Sequence, residues 1–277
     1  MQLLGPLLHR WQTAPVSWRR GVVTSPIAPF LRRVLNRFFP QGPQIFALAA
    51  PLTGRRMRLH WQSHKAYVFG TYEPAVIRAL QQHVLLGWTV LDLGAHIGYY
   101  TLLLAELVGP EGKVMAFEAS PEIFAVLKEN VHLNECSNVV LENRAVAASS
   151  RRLALRRNDA YPLSATSSIL SGRVAVEVES VALDQLLGSG FDRVAFIKMD
   201  VEGAEAEALQ GMRELLRRDH PLLLIEIHGF DVYKEQHPAL CELKKIGYEA
   251  RYLDGPASEV HILAQFQPQQ DHRLGAR

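Results

Sequence analysis

The sequence contains little cysteine and no long uninterrupted apolar run. Cys136 and Cys241 are the only cysteines among 277 residues, which is too few for a disulfide framework or a cysteine-built zinc site. No apolar run approaches the roughly 18–20 residues that cross a bilayer, and the first residues lack the apolar segment and cleavage site of a signal peptide. We therefore expect a cytoplasmic, globular protein, and an apolar content of 48% is ample for its core.

Acidic residues are absent from the first part of the chain. Residues 1–72 carry ten Arg or Lys and no Asp or Glu, whereas the remainder carries 20 basic and 28 acidic side chains. The basic residues of segment 1–72 favour contact with a membrane surface, a phosphorylated substrate or an acidic partner. A solvated basic extension explains it equally well, so a peripheral membrane location stays open. We expect a partly helical extension over 1–70, with a basic amphipathic helix near 31–39, and a main domain over 71–277.

From residue 89 onward, short apolar strands alternate with helical segments, which is the pattern of β-α units around a parallel sheet. Ser120-Pro121-Glu122 supplies a helix cap, a proline at the first helical position and an acid in the first turn. The expected strands are 89–93, 113–117, 138–142, 194–199, 222–227, 248–253 and 260–265. The expected helices are 99–108, 121–133, 204–218 and 237–245. The sequence thus predicts a doubly wound, Rossmann-like α/β fold.

A serine-rich segment interrupts this alternation. It covers residues 157–172 and precedes an alternating apolar stretch at 174–181. Its composition is typical of a surface loop. Two interpretations remain open for it, a lid that folds over a substrate and a disordered segment.

A glycine turn follows the first of the expected strands. Asp92, Gly94 and Gly98 stand where the strand ends and a helix begins, so the backbone can pass close to a ligand that faces the helix N-terminus. The spacing differs from the Gly-x-Gly-x-x-Gly pattern of dinucleotide-binding proteins, because Ala95, His96 and an isoleucine separate the two glycines. An acid beside the turn suits an ammonium and a sulfonium better than a pyrophosphate.

The ends of the next two strands supply further candidates for cofactor binding. Glu118 ends the second strand, where its carboxylate is placed to accept hydrogen bonds from both ribose hydroxyls, and Ala119 follows it. Asn143, just past the third strand, is in position for the edge of an adenine, although a turn asparagine is an equally good interpretation. His96 either bonds to the cofactor or substrate or only fills space. Together with the glycine turn, Glu118 predicts an adenosyl cofactor.

Three segments resemble the FkbM family of methyltransferases. They are Val90–Tyr100, Phe117–Pro121 and Phe196–Glu205, and Glu226-Ile227-His228 fits the same family. The resemblance covers about residues 70–265. Its most specific element is Lys-x-Asp-x-Glu-Gly-x-Glu in the third segment, because many methyltransferases share the glycine turn.

The resemblance implies several properties that the spacing alone does not. They are a seven-stranded methyltransferase sheet whose last strand is antiparallel, S-adenosylmethionine as the methyl donor, and usually a hydroxyl acceptor on a sugar or natural product. Ala119 stands where relatives often carry proline, but Glu118 is retained. His96 stands where asparagine is frequent, which leaves its contact with the cofactor open.

A cluster at the ends of the fourth and fifth strands is the candidate for acceptor chemistry. Asp200 ends the fourth strand, and Glu226 and His228 end the fifth, so all three should face the crevice beside the cofactor's methyl group. Asp200 is therefore also a candidate for cofactor binding. In the preferred interpretation, His228 is a general base oriented by Asp200 or Glu226. In a second interpretation, the three residues form part of an octahedral shell for a magnesium-like ion. In a third, Asp200 caps the following helix and His228 has only a structural role.

Three more acids have both a functional and a structural interpretation. Glu202 and Glu205 fall in the first turn of the helix expected at 204–218, where acids stabilise the helix dipole. Glu202 is also a candidate site residue. Glu73 either closes over the methionine end of the cofactor or only precedes a helix that begins at Pro74.

Two other functions compete with methyl transfer, and a third is disfavoured. The glycine spacing and Asp92 argue against an NAD-dependent oxidoreductase. A binding module that holds the cofactor without turnover stays an alternative. Methylation of nucleic-acid bases is disfavoured, because the acids after the fourth strand would repel phosphates. The expected partner is a small-molecule or glycan acceptor, and the sequence predicts no oligomeric state.

Overall fold

The computed structural model of the protein describes residues 42–157, 174–187, 193–229, 236–253 and 260–268, together with Pro26 and Phe30. The strands before residue 150 are β1 (Pro43–Ala47), β2 (Arg56–His60), β3 (Thr89–Leu93), β4 (Lys113–Phe117), β5 (Val139–Glu142) and β6 (Ala145–Val146). The later strands are β7 (Arg152–Arg157), β8 (Val174–Val181), β9 (Val194–Met199), β10 (Leu222–Ile227), β11 (Tyr248–Tyr252) and β12 (Val260–Phe266). The α-helices are α1 (Trp61–Phe69), α2 (Pro74–His83), α3 (Tyr99–Val108), α4 (Pro121–Leu133), α5 (Glu205–Gln210), α6 (Arg213–Asp219) and α7 (Pro238–Ile246).

A seven-stranded sheet forms the centre of the fold, in the order β11-β12-β10-β9-β3-β4-β5. The five strands from β10 to β5 pair in parallel, whereas β12 is antiparallel to both β10 and β11. The chain order reverses beside β3, whose neighbours are β4 and β9. Such a reversal opens a crevice at the carboxyl ends of the strands. The predicted α/β fold is confirmed, and so is the antiparallel last strand.

Alternate residues of the central strands face two separate apolar clusters. Val90 and Phe196 pack with apolar residues of α1, α2 and α3 on one face. Leu91 and Ile197 pack with residues of α5, α6 and α7 on the other face. This alternation is the period of two that a strand imposes, and helices on both faces make the fold doubly wound.

The chain between residues 43 and 69 packs against the sheet domain. β1 and β2 form an antiparallel hairpin, and the side chains of Asn130 and Asn134 on α4 bond to the backbone of Arg58 and Arg56 at 2.6–3.2 Å. Trp61 on α1 is buried in the same cluster as α2 and α3. The domain boundary at residue 70 and an anionic partner for the extension stay predictions, and the helix expected near 31–39 lies outside the described residues.

The prediction of one helix over 204–218 was wrong, because the chain breaks there into α5 and α6. A Cβ added to Gly211 would lie 1.9 Å from the backbone oxygen of Ala147, so the chain at Gly211 runs against the backbone just after β6. Met212 then has φ −129° and ψ 21°, which is not helical. The close approach at Gly211 thus explains the break.

Two further expectations concern the serine-rich segment and the absence of membrane-spanning helices. Of the serine-rich segment 157–172, only residue 157 belongs to the described part of the chain, so the lid stays a prediction. Among the described residues, every helix is too short or too polar to cross a bilayer.

Candidate active site

The turn after β3 is built from backbone conformations that favour glycine. Gly94 has φ +77° and Gly98 has φ +95°. A Cβ added to Gly94 would lie only 1.7 Å from the backbone oxygen of Asp200. The amide of Asp200 in turn donates to the carbonyl of Leu93 at 2.9 Å. The turn and the end of β9 therefore form one closely packed edge.

A cavity of about 280 Å³ opens over this edge. Its walls include residues from the ends of β3, β4 and β9, which is where ligands bind in open α/β sheets. Six predicted cofactor residues line it: Gly94, Ala95, His96, Glu118, Ala119 and Asp200. A wider groove of about 980 Å³ crosses the opposite edge of the sheet, but the predicted site residues lie away from it. We therefore take the smaller cavity as the candidate active site.

Glu118 is held rigidly in the wall of this cavity. One carboxylate oxygen accepts the amide hydrogen of His96 at 2.9 Å, and the other accepts that of Ser120 at 2.8 Å. Burial raises the pKa of Glu118 to about 7, although these two backbone bonds lower it. The carboxylate is thus preorganised to accept hydrogen bonds from a ligand.

Asn143 supports the loop that follows Glu118. Its amide nitrogen donates to the backbone oxygens of Glu118 at 2.8 Å and Ala119 at 3.2 Å. The neighbouring Arg144 and Ala145 line the cavity in this region. The contact of Asn143 with an adenine stays a prediction, whereas its role in holding the loop is observed.

Asp92 lies behind the cavity wall and pairs with a buried lysine. The register of β3 and β9 places Asp92 opposite Lys198, and Lys198 Nζ lies 3.9 Å from Asp92 and 3.6 Å from Asp200. Thr101 donates a hydrogen bond to Asp92 at 2.6 Å. Burial opposes the charge of Lys198, but the carboxylates of Asp200 and Asp92 outweigh it and raise the pKa of Lys198. The buried ammonium group of Lys198 therefore lies between Asp92 of β3 and Asp200, which directly follows β9.

Glu73 lies in the same region, although its chain segment is distant in sequence. α2 begins at Pro74 as expected, but the Glu73 side chain makes no cap bond to the helix. Its carboxylate instead accepts the hydroxyl hydrogen of Tyr100 at 2.5 Å and lies 3.5 Å from His261. Burial opposes ionisation, but the hydrogen bonds from His261 and Tyr100 keep the pKa of Glu73 below its ordinary value. Its contact with the cofactor stays a prediction.

The expected acceptor cluster of Asp200, Glu226 and His228 comes together in space. His228 Nε2 lies 3.8 Å from Asp200 and 3.5 Å from Glu226, and Glu202 joins the cluster at 3.6 Å. His228 Nδ1 lies 2.8 Å from Glu205. The interpretation of Asp200 as a helix cap was wrong, because Ala204 holds the cap position of α5.

The charges in this cluster alter the protonation of His228. Burial opposes the charged ring, but the bond to Glu205 and the charges of Asp200, Glu202 and Glu226 outweigh it and raise the pKa of His228 to about 9. Burial, followed by the charge of Asp200, raises the pKa of Glu202 to about 7. A ring that is protonated at neutral pH cannot accept a proton, so these shifts weigh against His228 as a general base. The assignment of that role stays a prediction.

Glu202 was expected in the first turn of the helix, but it precedes α5. Its φ is +53°, a conformation that non-glycine residues rarely adopt. Glu202 lines the cavity, whereas Glu205 does begin α5 and is only 1% exposed. The two acids therefore have different surroundings despite their short separation.

Several residues of the site were missed by sequence reasoning. Lys198 could have been found, because it lies two positions before Asp200 and therefore on the same face of β9. His261 lies opposite Glu226 in the β10–β12 register, and no local sequence pattern indicates that it belongs to the site. An aromatic wall also lines the cavity, and its rings lie 4.4–5.9 Å apart: Tyr67, Tyr72, Tyr99 and Tyr100.

Two groups of side chains among the described residues have the spacing of a metal site. Glu73, Glu226 and His261 form one group, and Asp200, Glu226 and His228 form the other. In each group one potential ligand atom per residue lies within 4.8 Å of the others. Glu226 belongs to both groups, so its two oxygens face in different directions.

The sheet order is that of the Rossmann-like methyltransferase fold, and the glycine turn and the cavity lie at the carboxyl ends of its parallel strands. The family model described as "Methyltransferase FkbM domain" matches residues 92–271, which is more than half of the 277 residues. The chain therefore belongs to the FkbM methyltransferase family, as the sequence resemblance implied.

Curated relatives and solved structures resemble parts of the chain. "Methyltransferase sdnD" of Sordaria araneosa is 28% identical, and the match covers 53% of this chain and 75% of that protein. "Hexuronic acid methyltransferase AglP" of Haloferax volcanii is 27% identical, with 62% and 69% covered. The crystal structure of a methyltransferase FkbM from Methylobacillus flagellatus is 18% identical, with a TM-score of 0.47, and the match covers 65% of this chain and 43% of that one.

Proposed function

We propose that the protein transfers a methyl group from S-adenosylmethionine to a hydroxyl of a sugar, glycolipid or natural product. The observation that carries this proposal is the cavity itself, which is lined by the glycine turn, Glu118, Asp200 and Glu202. Family membership supports methyl transfer, and the relative named for hexuronic acid methylation supports a sugar as the acceptor.

The cofactor is assigned to the side of the cavity formed by β3 and β4. Glu118 accepts hydrogen bonds from the ribose, because its carboxylate is already oriented by two backbone amides. The turn at Gly94 allows the backbone to approach the ligand. Lys198 lines the same cavity and supplies a cation for the carboxylate of the methionine part. Asp92 acts through Lys198, because it lies behind the wall and is fully buried.

The acceptor is assigned to the side formed by the end of β9 and the turn before α5. Asp200 and Glu202 line the cavity there, and Glu226 and His228 lie behind them. Methyl transfer is an in-line displacement with a neutral thioether as the leaving group, so alignment and exclusion of water contribute most of the catalysis. The acceptor hydroxyl must also lose its proton. We assign the activation of this hydroxyl to the cluster of Asp200, Glu226 and His228.

Replacement of the cluster residues tests this assignment. His228→Ala and Asp200→Asn are each expected to lower turnover by roughly 10²-fold or more, because activation of the hydroxyl contributes that much, and to retain cofactor affinity. The measurement is formation of S-adenosylhomocysteine in a screen of sugars, glycolipids and hydroxylated natural products, with calorimetric binding of S-adenosylhomocysteine alongside. Glu214→Gln is a matched control, because Glu214 is an exposed acid on α6. Wild-type turnover in both cluster variants would show that the assignment is wrong.

Cofactor binding is expected to depend on pH through Glu118. Because its pKa is raised to about 7, the carboxylate is mostly protonated near pH 6 and mostly ionised near pH 8, so affinity for S-adenosylhomocysteine should rise by up to about tenfold over this range. The unliganded fold should lose stability as pH rises from 4.5, the ordinary pKa of Glu118, to about 7, because the folded state then holds the extra proton. Glu118→Gln should bind more weakly and show no such increase. An unchanged wild-type affinity across the range would contradict this role.

A further inference from the structure

The ring of His228 is held in one orientation by a buried acid. Glu205 Oε1 lies 2.8 Å from His228 Nδ1 and also accepts the amide hydrogen of Gly203 at 2.9 Å. Because an ionised carboxylate can only accept hydrogen bonds, the contact with Glu205 assigns a hydrogen to Nδ1. The lone pair of a neutral ring is therefore on Nε2, which points away from Glu205.

Three carboxylates converge on this Nε2 atom. The nearest oxygens are those of Glu226 at 3.5 Å, Glu202 at 3.6 Å and Asp200 at 3.8 Å. All three are too distant for a good hydrogen bond. Asp200 Oδ1 is moreover shut off from solvent and has no hydrogen-bond partner among the described residues. An oxygen without a protein partner is open to a further ligand, either an ion or a water molecule.

The geometry points to a divalent cation, and we propose that Asp200, Glu202, Glu226 and His228 bind a hard metal ion of the Mg²⁺ or Mn²⁺ type. Carboxylate oxygens with one imidazole nitrogen are a donor set that such ions accept. Neighbouring ligands of an octahedral ion with bonds of about 2.1 Å lie about 3 Å apart. Asp200, Glu226 and His228 each offer one ligand atom within 4.8 Å of the other two, and Glu202 lies 3.6 Å from the same Nε2 atom. Inward movement of the carboxylates would bring these atoms to the spacing of ligands, and water or substrate would fill the other positions.

The surroundings of the four proposed ligands have the features of a built metal site. Glu205 hydrogen-bonds the ring nitrogen that does not face the ion, as carboxylates do behind many metal-bound histidines. On the other side, His261 lies 3.5 Å from Glu226 Oε2, which leaves Oε1 directed toward His228. The proposed ligands thus come from the ends of two neighbouring strands and the turn before α5, and two of them, His228 and Glu226, are oriented by residues outside the ligand set.

The proposed ion lies at the wall of the cavity, because Asp200 and Glu202 line that cavity. A cation there would bind the acceptor hydroxyl and lower its pKa, so that the proton could pass to a water molecule in the cavity. This role rests on the proposed function, but the binding of the ion does not. His228 then acts as a neutral ligand and not as the general base.

Manganese binding to the full chain tests the proposal without any measurement of turnover. After treatment with a chelator, wild-type protein is expected to bind one equivalent of Mn²⁺ in electron paramagnetic resonance and calorimetric titrations, and excess Mg²⁺ should displace it. His228→Gln and Glu226→Gln should each lose most of this affinity. Glu205→Gln should lower it by about 10–100-fold, because it removes only the group that orients the ring. Glu214→Gln should bind like wild type.

Melting curves of each variant without metal show whether it is folded. Absence of Mn²⁺ binding to wild type at millimolar concentration would overturn the proposal, and so would equal binding by folded His228→Gln and Glu226→Gln. Titration of the same samples with S-adenosylhomocysteine separates the two proposals. Cofactor binding without Mn²⁺ binding overturns the metal site alone, whereas Mn²⁺ binding without cofactor binding overturns the proposed function alone.

Discussion

Replacement of Gly94 by alanine is expected to abolish cofactor binding and to destabilise the fold by about 2–5 kcal/mol. The new Cβ would lie 1.7 Å from the backbone oxygen of Asp200, so β3 and β9 would have to separate at the carboxyl edge of the sheet. The residue would also keep a φ of +77°, which disfavours alanine. Urea denaturation measures the loss of stability, and calorimetry with S-adenosylhomocysteine measures the loss of binding.

Gly87→Ala is the matched control for this variant. Gly87 also has φ +77°, but among the described residues, its two chain neighbours apart, no atom lies within 4 Å of the position that its Cβ would take. The control therefore suffers only the backbone strain of about 1–2 kcal/mol and should bind the cofactor normally. Equal stability and equal binding of the two variants would contradict the close approach of the turn to Asp200.

Replacement of Lys198 by methionine is expected to destabilise the fold by about 3–5 kcal/mol. Lys198 is almost fully buried between Asp92 and Asp200, so its removal leaves two acids without their cation. The free energy of unfolding, measured in urea at neutral pH, reports the effect. Lys128→Met is the control, because Lys128 is an exposed lysine on α4, and it should change stability by less than about 0.5 kcal/mol.

A second substitution checks the electrostatic origin of this effect. Adding Asp92→Asn to Lys198→Met removes one of the uncompensated charges, so the double variant should be more stable than Lys198→Met alone. A loss below about 1 kcal/mol in Lys198→Met would show that the lysine is not the counterion of the two acids. If the double variant is no more stable than Lys198→Met, the loss of stability comes from altered packing and not from uncompensated charge.

The strands of the central sheet and the glycine turn were predictable because their signals are local, whereas the hairpin of β1 and β2 was not predicted. Five residues of β3 are followed by Gly94 and Gly98, and this order identifies a strand, a turn and a helix without knowledge of the rest of the chain. Asp92, Glu118 and Asp200 were found for a related reason, since each falls in or directly after a strand of a parallel sheet. The break at Gly211 was missed, because it depends on contact with Ala147, which is distant in sequence.

The contacts between strands were less predictable, because they depend on register. Asp92 lies opposite Lys198, and Glu226 lies opposite His261, on neighbouring strands of the sheet. The two residues of each pair are far apart in the sequence. Sequence placed Asp200, Glu226 and His228 at one edge of the sheet. It did not reveal that Glu205 orients the His228 ring or that burial and neighbouring acids set the protonation of the cluster.

Calorimetric titration of the purified chain with S-adenosylmethionine tests the central claim most directly, with NAD⁺ titrated in parallel as the competing cofactor. The account predicts saturable binding of one S-adenosylmethionine per chain, strong weakening in Glu118→Gln, and no binding of NAD⁺. Binding of NAD⁺ in preference to S-adenosylmethionine, or binding of neither, would contradict the account.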